Sequence, residues 1–171
     1  GTSLSVQRRL GQTEHVERSE GRDLGLRVFI GQRAAIVSST SVDPAGFKAL
    51  AERAVAMARV VPEDKFAGLA ETAAPPAPDN LDLDDPSEPS ADALAERAAK
   101  AEEAALAVAG VTNSEGADAG YSRAEVVLVT SAGFAGRRVG TGHSISATAL
   151  AGTGTDMQRD YDYHSTAHLA D

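Results

Sequence analysis

The sequence predicts an α+β fold made mainly of antiparallel sheets, each covered by a helix. Two observations carry this prediction: several runs alternate apolar and polar residues with a period of two, and two other runs place apolar residues at helical spacing. Between the alternating runs stand only short turns rich in Gly, Ser and Thr, and connections this short force neighbouring antiparallel strands. The predicted order of elements is ββββα, a linker, and αβββ.

Four short strands are predicted at the start of the chain. The second, Thr13 to Ser19, is strongly polar and has one large apolar residue, Val16, so we expect it to lie at a sheet edge or to face water. The third is expected to bury one face, because its apolar residues share one parity: Leu24, Leu26, Val28 and Ile30. Gly31-Gln32 then turns the chain into the fourth strand, Arg33 to Ser39.

Two amphipathic helices are predicted from capping residues and apolar stripes. The first begins at Asp43-Pro44, where the carboxylate can accept from free amides and proline suits the first helical position, and it stops before Pro62. The second is capped by Ser90 and ends at Gly110. The stripes expected to face the sheets are Phe47, Leu50, Ala51, Ala54, Val55, Ala58 and Val61 in the first helix, and Leu94, Ala98, Ala101, Ala105 and Val108 in the second.

A β-meander is predicted over residues 113 to 163, and the rest of the chain is organised around it. Its first strand, Tyr121 to Thr130, is expected to be buried on both faces toward its end. Its second, Phe134 to Ala151, carries glycines that indicate a bulge or bend. Its third, Asp156 to Tyr163, combines an amphipathic face with an acidic, solvated face. Residues His164 to Asp171 are predicted to begin a third helix that is cut off, and the chain is expected to be truncated at both ends.

The predicted organisation has two domains joined by a linker. Residues 1–70 form an N-terminal α+β domain, residues 71–89 an acidic, proline-rich linker, and residues 90–171 a central domain of one helix and the meander. The linker holds five of the seven prolines and nearly all of the unbalanced acid, a composition that cannot bury enough apolar surface to offset ordering. Leu81 and Leu83 are its expected anchors.

Composition excludes several classes of function. The chain has no cysteine, so disulfides, thiolate metal sites and cysteine nucleophiles are impossible, and a reducing cytoplasm is the expected compartment. The net charge of −9 and the scarcity of clustered basic residues disfavour direct binding to nucleic acid. No run approaches the roughly 20 apolar residues of a membrane span, so no membrane contact is expected.

Two histidines near the end of the sequence form a first candidate site. His164 and His168 would lie one helical turn apart and could clamp a metal ion from one helix face. A zinc-peptidase helix needs Glu directly after the first His as general base, and that position holds Ser165. Asp160 and Asp162 are the nearby residues that offer a third ligand. The alternative is a polar helix start, and no residue is assigned as a metal ligand.

A second candidate is Gly142-His143-Ser144-Ile145-Ser146, which approaches the Gly-x-Ser-x-Gly turn of serine hydrolases. Ser146 replaces the closing glycine and the segment stands within a strand, so ordinary strand residues are the favoured interpretation. Gly140-Thr141-Gly142 and Gly152-Thr153-Gly154 lack the third glycine and the helix of a phosphate cradle. His15 is isolated. No catalytic, cofactor-binding or metal residue is predicted.

Several segments together resemble the TldD/PmbA family, once called modulators of DNA gyrase, and its PmbA (TldE) branch more than its TldD branch. The resemblance covers essentially the whole chain and implies the N-terminal and central regions of a longer subunit. It rests on the order and spacing of Gly25-Leu26-Arg27-Val28-Phe29 with Ser38-Ser39-Thr40, Ala51-Glu52-Arg53-Ala54, Asn113-Ser114-Glu115-Gly116, Ser131-Ala132-Gly133-Phe134 and Arg159-Asp160-Tyr161. The family's TldD member carries a His-Glu-x-x-x-His zinc helix, and His164 and His168 lack its Glu and lie too early to match it.

The resemblance implies a non-catalytic scaffold and interaction region of a TldE-like subunit. Such a subunit completes a heterodimeric metallopeptidase that acts on unfolded peptides, so the expected partners are a TldD-like subunit, a second copy, and unfolded peptide. Zinc is expected only in the catalytic partner subunit. The candidate surfaces are Thr13 to Ser19 and the strand over 134–151, because a strand edge can hold an extended peptide. Two alternatives stay open: an autonomous zinc-dependent or serine hydrolase, and a regulator that acts on DNA gyrase by protein contact.

Overall fold

A computed structural model describes residues 1–70 and 81–171 of the chain. Over these residues it contains two α-helices and seven β-strands, with short 3₁₀ turns at Pro44–Gly46 and Gly154–Asp156. The elements in chain order are β1 Thr2–Arg9, β2 Gln12–Glu20, β3 Leu24–Ile30, β4 Arg33–Ser39, α1 Phe47–Val60, α2 Ala91–Leu106, β5 Val111–Val129, β6 Ala135–Ala151 and β7 Gln158–Thr166. This succession confirms the predicted α+β class. None of the described helices is long and apolar enough to cross a membrane.

The first compact unit is built on a five-stranded sheet with the strand order β2-β1-β5-β6-β7. The meander is therefore confirmed as β5-β6-β7, and the β1–β2 hairpin extends it on the β5 side. Strand β1 pairs antiparallel with both neighbours, so that Val6 lies opposite Val16 of β2 and opposite Ala119 of β5. Strand β6 pairs antiparallel with β7 from His143 to Ala151.

Helix α2 covers one face of this sheet over β1 and β5. The core between them consists of Leu4, Val6, Leu94, Ala98, Ala117, Ala119 and Tyr121. Three of these residues are alanines, and their small side chains allow the helix to pack closely against the strands. The predicted cap is confirmed, because Ser90 Oγ accepts from the amide of Ala93 at 3.1 Å.

The second compact unit consists of the β3–β4 hairpin and α1. Leu24, Leu26 and Val28 pack against a small core of Val37, Leu50 and Ala54, which confirms the predicted inward face of the third strand. The helix start is also confirmed, because Asp43 Oδ1 accepts from the amide of Ala45 at 3.0 Å. The predicted stripe of α1 is right at Leu50, Ala54 and Ala58 but not at Phe47, which is 41% exposed.

The two compact units combine segments that are far apart in the sequence. The first unit contains Gly1–Glu20, the described part of Ala77–Leu128, and Gly136–Asp171. The second unit contains the described part of Gly21–Pro76 and the short segment Val129–Ala135. The β1–β2 hairpin therefore belongs with the meander and not with β3, β4 and α1, because the apolar side chains of β1 are buried against β5 and α2. Residues 71–80 of the predicted linker lie outside the described residues.

Two local predictions of the sequence are wrong. Residues His164 to Asp171 do not begin a helix, because β7 continues to Thr166 in register with His143 of β6 and only turns follow. The end of β5 is not buried on both faces, since Val126, Val127, Leu128 and Val129 are each more than half exposed. The buried part of β5 lies earlier, between Ser114 and Tyr121, where β1 and α2 cover it.

Candidate functional site

The outer edge of β2 is the most accessible strand edge in the first unit. All nine residues of β2 are exposed in the part of the chain that the structure describes. The inner edge of the strand is engaged by the ladder to β1, and the side chain of Arg18 forms an ion pair with Glu88 at 3.0 Å. The prediction that Thr13 to Ser19 forms an edge strand is confirmed.

The backbone direction of β1 identifies the groups that β2 presents outward. A Cβ built on Gly116 of β5 would stand 2.8 Å from the carbonyl oxygen of Arg8, and one on Gly120 would stand 4.0 Å from that of Leu4. Even-numbered residues of β1 therefore direct their backbone groups toward β5, and odd-numbered ones direct theirs toward β2. Because Ser5 lies opposite Glu17, the amides of Val16 and Arg18 point away from the sheet.

Glu102 of α2 fixes the turn that leads into β2. Its side chain is buried, and its two carboxylate oxygens accept from the amides of Leu10 at 2.8 Å and Gly11 at 3.1 Å. Burial raises the pKa of Glu102, but hydrogen bonds from the Ser114 hydroxyl and both amides outweigh it, so the pKa lies below its usual range. The turn has left-handed backbone at Leu10 (φ 47°) and Gly11 (φ 77°), and the carboxylate helps to hold this conformation.

At the opposite edge of the sheet, side chains of β7 accept hydrogen bonds from the backbone amides of the same strand. Asp160 Oδ1 accepts from the amide of Tyr161 at 2.9 Å, and Asp162 Oδ1 accepts from the amide of Tyr163 at 2.8 Å. The Thr141 amide of β6 points to the β7 side, where it donates to the carbonyl oxygen of Leu83. Alternation along β6 and its register with β7 then place the amides of Tyr161 and Tyr163 on the outer edge. Two outward donors of β7 are therefore already occupied.

A segment that we call the strap, residues 81–89, lies beside β6 beyond the end of β7. The Thr141 amide donates to Leu83 O at 2.8 Å, and the Asp85 amide donates to Thr141 Oγ1 at 2.8 Å. The Asp85 carboxylate is buried and accepts from the amides of Leu169 at 2.7 Å and Ser87 at 2.8 Å. These bonds lower the pKa of Asp85 to about 2, with the Leu169 amide as the largest cause.

The described part of the predicted linker is therefore attached to the sheet. Leu83 contributes its carbonyl oxygen as an anchor, but Leu81 is 50% exposed and the buried anchor is a charged residue, Asp85. Sequence reasoning missed this role because acidic, proline-rich stretches are usually solvated.

Two histidines flank the strap. His143 of β6 is fully buried, with its ring 5.2 Å from the ring of Tyr121 and its Nε2 3.5 Å from Asp85 Oδ2. Burial lowers the pKa of His143 and Asp85 acts in the opposite direction, so the neutral ring is favoured. His168 Nε2 donates to the carbonyl oxygen of Asp82 at 2.8 Å, and this bond raises the pKa of His168.

The structure separates the residues of the two candidate chemical sites. His164 stands in β7 and His168 lies beyond the end of this strand against Asp82, so the helical spacing that suggested a metal clamp does not exist. Within residues 1–70 and 81–171 no group of three or more His, Cys, Asp or Glu side chains could hold a metal ion. Ser144 stands in the middle of β6, not at a strand-to-helix turn, and the neighbouring His143 faces Asp85 and Tyr121.

The second predicted docking strand is not an edge. β6 lies between β5 and β7, and its residues from His143 to Ala151 pair with β7. Glu102 is a further residue that sequence reasoning missed. A signal was available, because Leu94, Ala98 and Glu102 continue one helical stripe in which a carboxylate replaces an apolar residue.

This two-part α+β architecture is shared with solved structures described as putative modulators of DNA gyrase. One from Bacteroides thetaiotaomicron is 20% identical, with a TM-score of 0.81, over 99% of this chain and 40% of that one. TldE from Thermococcus kodakarensis is 20% identical, with a TM-score of 0.74, over 97% of this chain and 38% of that one. At these identities the likeness shows the fold.

Sequence comparison identifies the family. The model for the PmbA/TldA metallopeptidase central domain matches residues 84–171, and the model for domain 1 of the same family matches residues 1–58. The chain is 38% identical over 165 residues to the metalloprotease PmbA of Escherichia coli O157:H7, and 31% identical over the same length to a PmbA homolog of Haemophilus influenzae. Each match covers 95% of this chain but only 36% of the relative's length. The chain belongs to the PmbA/TldD metallopeptidase family.

Proposed function

We propose that this chain is a non-catalytic scaffold and interaction region of a TldE-like subunit in a TldD/PmbA-type metallopeptidase. In this proposal the chain helps to bind unfolded peptides for processing, and a TldD-like partner subunit supplies the zinc and the catalytic groups. Membership of the family supports the metallopeptidase context. The likeness to TldE supports the fold of such a subunit.

The observation that carries the proposal is the outer edge of β2. Its nine residues are exposed, and its outward backbone amides at Val16 and Arg18 donate no hydrogen bond within the described residues. An extended peptide or a partner strand can bond to these groups without requiring a particular side-chain sequence, which suits an unfolded substrate. Glu102 holds the turn of the hairpin, so the edge is presented in one conformation.

Adjacent proline substitutions on β2 separate binding from folding. Val16→Pro removes an outward amide and leaves the inner ladder intact, whereas Glu17→Pro removes an amide directed at β1. We expect the full-length protein with Val16→Pro to keep its melting temperature within a few degrees and to lose crosslinks between β2 and a fluorescein-labelled unfolded polypeptide in the assembled enzyme.

Two further variants complete this experiment. Val16→Ala keeps the amide and should crosslink like the wild type. Glu17→Pro should destabilise the hairpin, which shows that proline is tolerated only at outward positions. Equal crosslinking by the wild type and the Val16→Pro variant, with both folded, would contradict the proposal.

A further inference from the structure

The helix-covered face of the five-stranded sheet is only partly covered. Strands lie about 4.8 Å apart and a helix is about 10 Å wide, so one helix covers about two strands. α2 lies over β1 and β5, as the core between them shows. The same face continues past α2 over β6 and β7 as an open trough of about 470 Å³.

The trough has an apolar floor and an outer wall that carries Asp160, Asp162 and His164 of β7. Ala101 and Ala105 of α2 line its inner side, and Ile145 and Ala147 of β6 line its floor. Ala147 packs against the core under α2, so the residue opposite it in register, Asp162, projects from the same face. Asp160 lies opposite Ala149 and shares that face.

The two carboxylates of this wall are not engaged by basic side chains of the described residues. Each gives one oxygen to the outward amide of the following residue. Neither forms an ion pair with a basic side chain within the described residues, whereas the neighbouring Arg159 pairs with Glu115 at 2.6 Å. A cationic side chain at the rim of the trough would therefore meet two unpaired charges.

The hydrogen-bonded outer edge of β7 favours a helical ligand over an extended one. Its outward amides at Tyr161 and Tyr163 are occupied by their own aspartates, so an extended peptide cannot add to this edge without displacing them. The trough itself lies on the sheet face, where a second helix beside α2 completes the usual helix layer. A small-residue floor of alanines allows such a helix to approach closely.

We propose that this trough docks an amphipathic helix of a partner protein chain, with small or apolar residues on one face and Lys or Arg along the flank that meets Asp160 and Asp162. A second copy of this chain is a poor occupant because the net charge is −9 and its own helices bury their apolar stripes. This docking site is separate from the β2 edge and does not depend on it.

The test uses the absence of native cysteine. In the full-length protein, Ala149→Cys places an environment-sensitive fluorophore in the trough, and Thr148→Cys places the same fluorophore on the opposite face of the sheet. The probes are two synthetic peptides of about five helical turns with the same Ala/Leu face, one flanked by Lys and one by Glu. We expect the Lys-flanked peptide to change the emission at position 149 saturably and the emission at position 148 little.

Charge-removing variants then test the acidic wall. Asp160→Asn with Asp162→Asn keeps an oxygen for each outward amide but removes both charges, and should weaken the Lys-flanked peptide roughly three- to tenfold, the effect of two exposed ion pairs. Asp23→Asn with Glu52→Gln removes the same charge from exposed sites in the second unit and should leave the affinity unchanged.

Five results would overturn the proposal, and the first four concern the peptides. These are equal affinity for the two peptides, equal affinity of the Asn pair and the wild type, no binding of the Lys-flanked peptide, and an equal response at positions 148 and 149. A dimer in sedimentation that Ala149→Arg dissociates would instead show that a second copy occupies the trough, and would also refute it.

Discussion

The two edges of the five-stranded sheet differ in what their outward backbone groups meet. On β7 the amides of Tyr161 and Tyr163 donate to the preceding aspartates. On β2 the amides of Val16 and Arg18 have no such cover within the described residues, although β2 is just as polar and exposed. Unpaired strand edges invite pairing with other chains, and proteins usually block the edges that are not used. The difference indicates that this molecule keeps one edge closed and one available.

A third arrangement lies between these two. β6 extends past the end of β7, and the strap covers this overhang through Leu83 and Asp85. Hydrophobicity does not separate the three cases, since all of them are rich in polar residues. The three cases differ in the hydrogen-bond partners of their backbone groups. Substitutions that remove these partners test the difference.

Removal of the Glu102 carboxylate should have the largest effect on stability. Glu102→Ala leaves the amides of Leu10 and Gly11 without their buried acceptor, and charged hydrogen bonds of this kind contribute about 1.5–3 kcal/mol. We expect a loss of about 2–3 kcal/mol in the free energy of unfolding by urea denaturation, together with disorder at the β2 edge. Glu103→Ala removes an exposed neighbour and should change the stability little. A Glu102→Ala variant as stable as the Glu103→Ala control would show that the turn is held by other contacts.

Asp85→Asn should remove a pH-dependent part of the stability. The pKa of Asp85 is lowered from 3.8 to about 2 in the folded chain, so its contribution is fully present above pH 3.8 and is lost as the pH falls toward 2. We expect the wild type to be more stable than Asp85→Asn at pH 5, and this difference to shrink between pH 4 and pH 2. Urea midpoints measured across this range test it. A difference that stays constant with pH would mean that the charge of Asp85 does not hold the strap.

Removal of the covers on β7 should have the smallest effect on stability and a visible effect on association. Asp160→Ala with Asp162→Ala frees the amides of Tyr161 and Tyr163, and exposed substitutions of this kind change stability by about 0.5 kcal/mol or less. The variant should self-associate more than the wild type in sedimentation velocity, because a second edge has become available. The Asn pair keeps the covers and should stay like the wild type. Unchanged association of the Ala pair would remove the distinction between the two edges.

The sequence predicted the local elements well where local rules decide. The polar run around Val16 indicated the β2 edge, and Asp43 and Ser90 marked both helix starts. Other elements depend on pairing between strands that are far apart in the sequence, which local patterns do not show. Residues His164 to Asp171 are predicted to begin a helix, but the register of His164 and Ser165 with Ile145 and Ser144 makes these two residues part of a strand.

The roles of charged residues were the least predictable part. Asp85 stands in a stretch whose composition indicates solvent exposure, and Glu102 is a charged residue on the buried stripe of its helix. Both are buried because backbone amides from distant segments converge on them. Nothing local to either residue records those partners. The pairing of β1 with β5 is a similar case, since it joins segments separated by most of the chain and no local pattern indicates it.

Site-resolved hydrogen exchange of the β2 amides tests the central claim most directly. In the isolated protein, the amides of Val16 and Arg18 should exchange quickly while those of His15 and Glu17, directed at β1, exchange slowly. In an assembly with a TldD-like subunit and an unfolded peptide, which the proposed function requires, the amides of Val16 and Arg18 should become protected and those of Tyr161 and Tyr163 should not change. Fast exchange at Val16 and Arg18 in the complete assembly would contradict the account, because the open edge would then bind nothing.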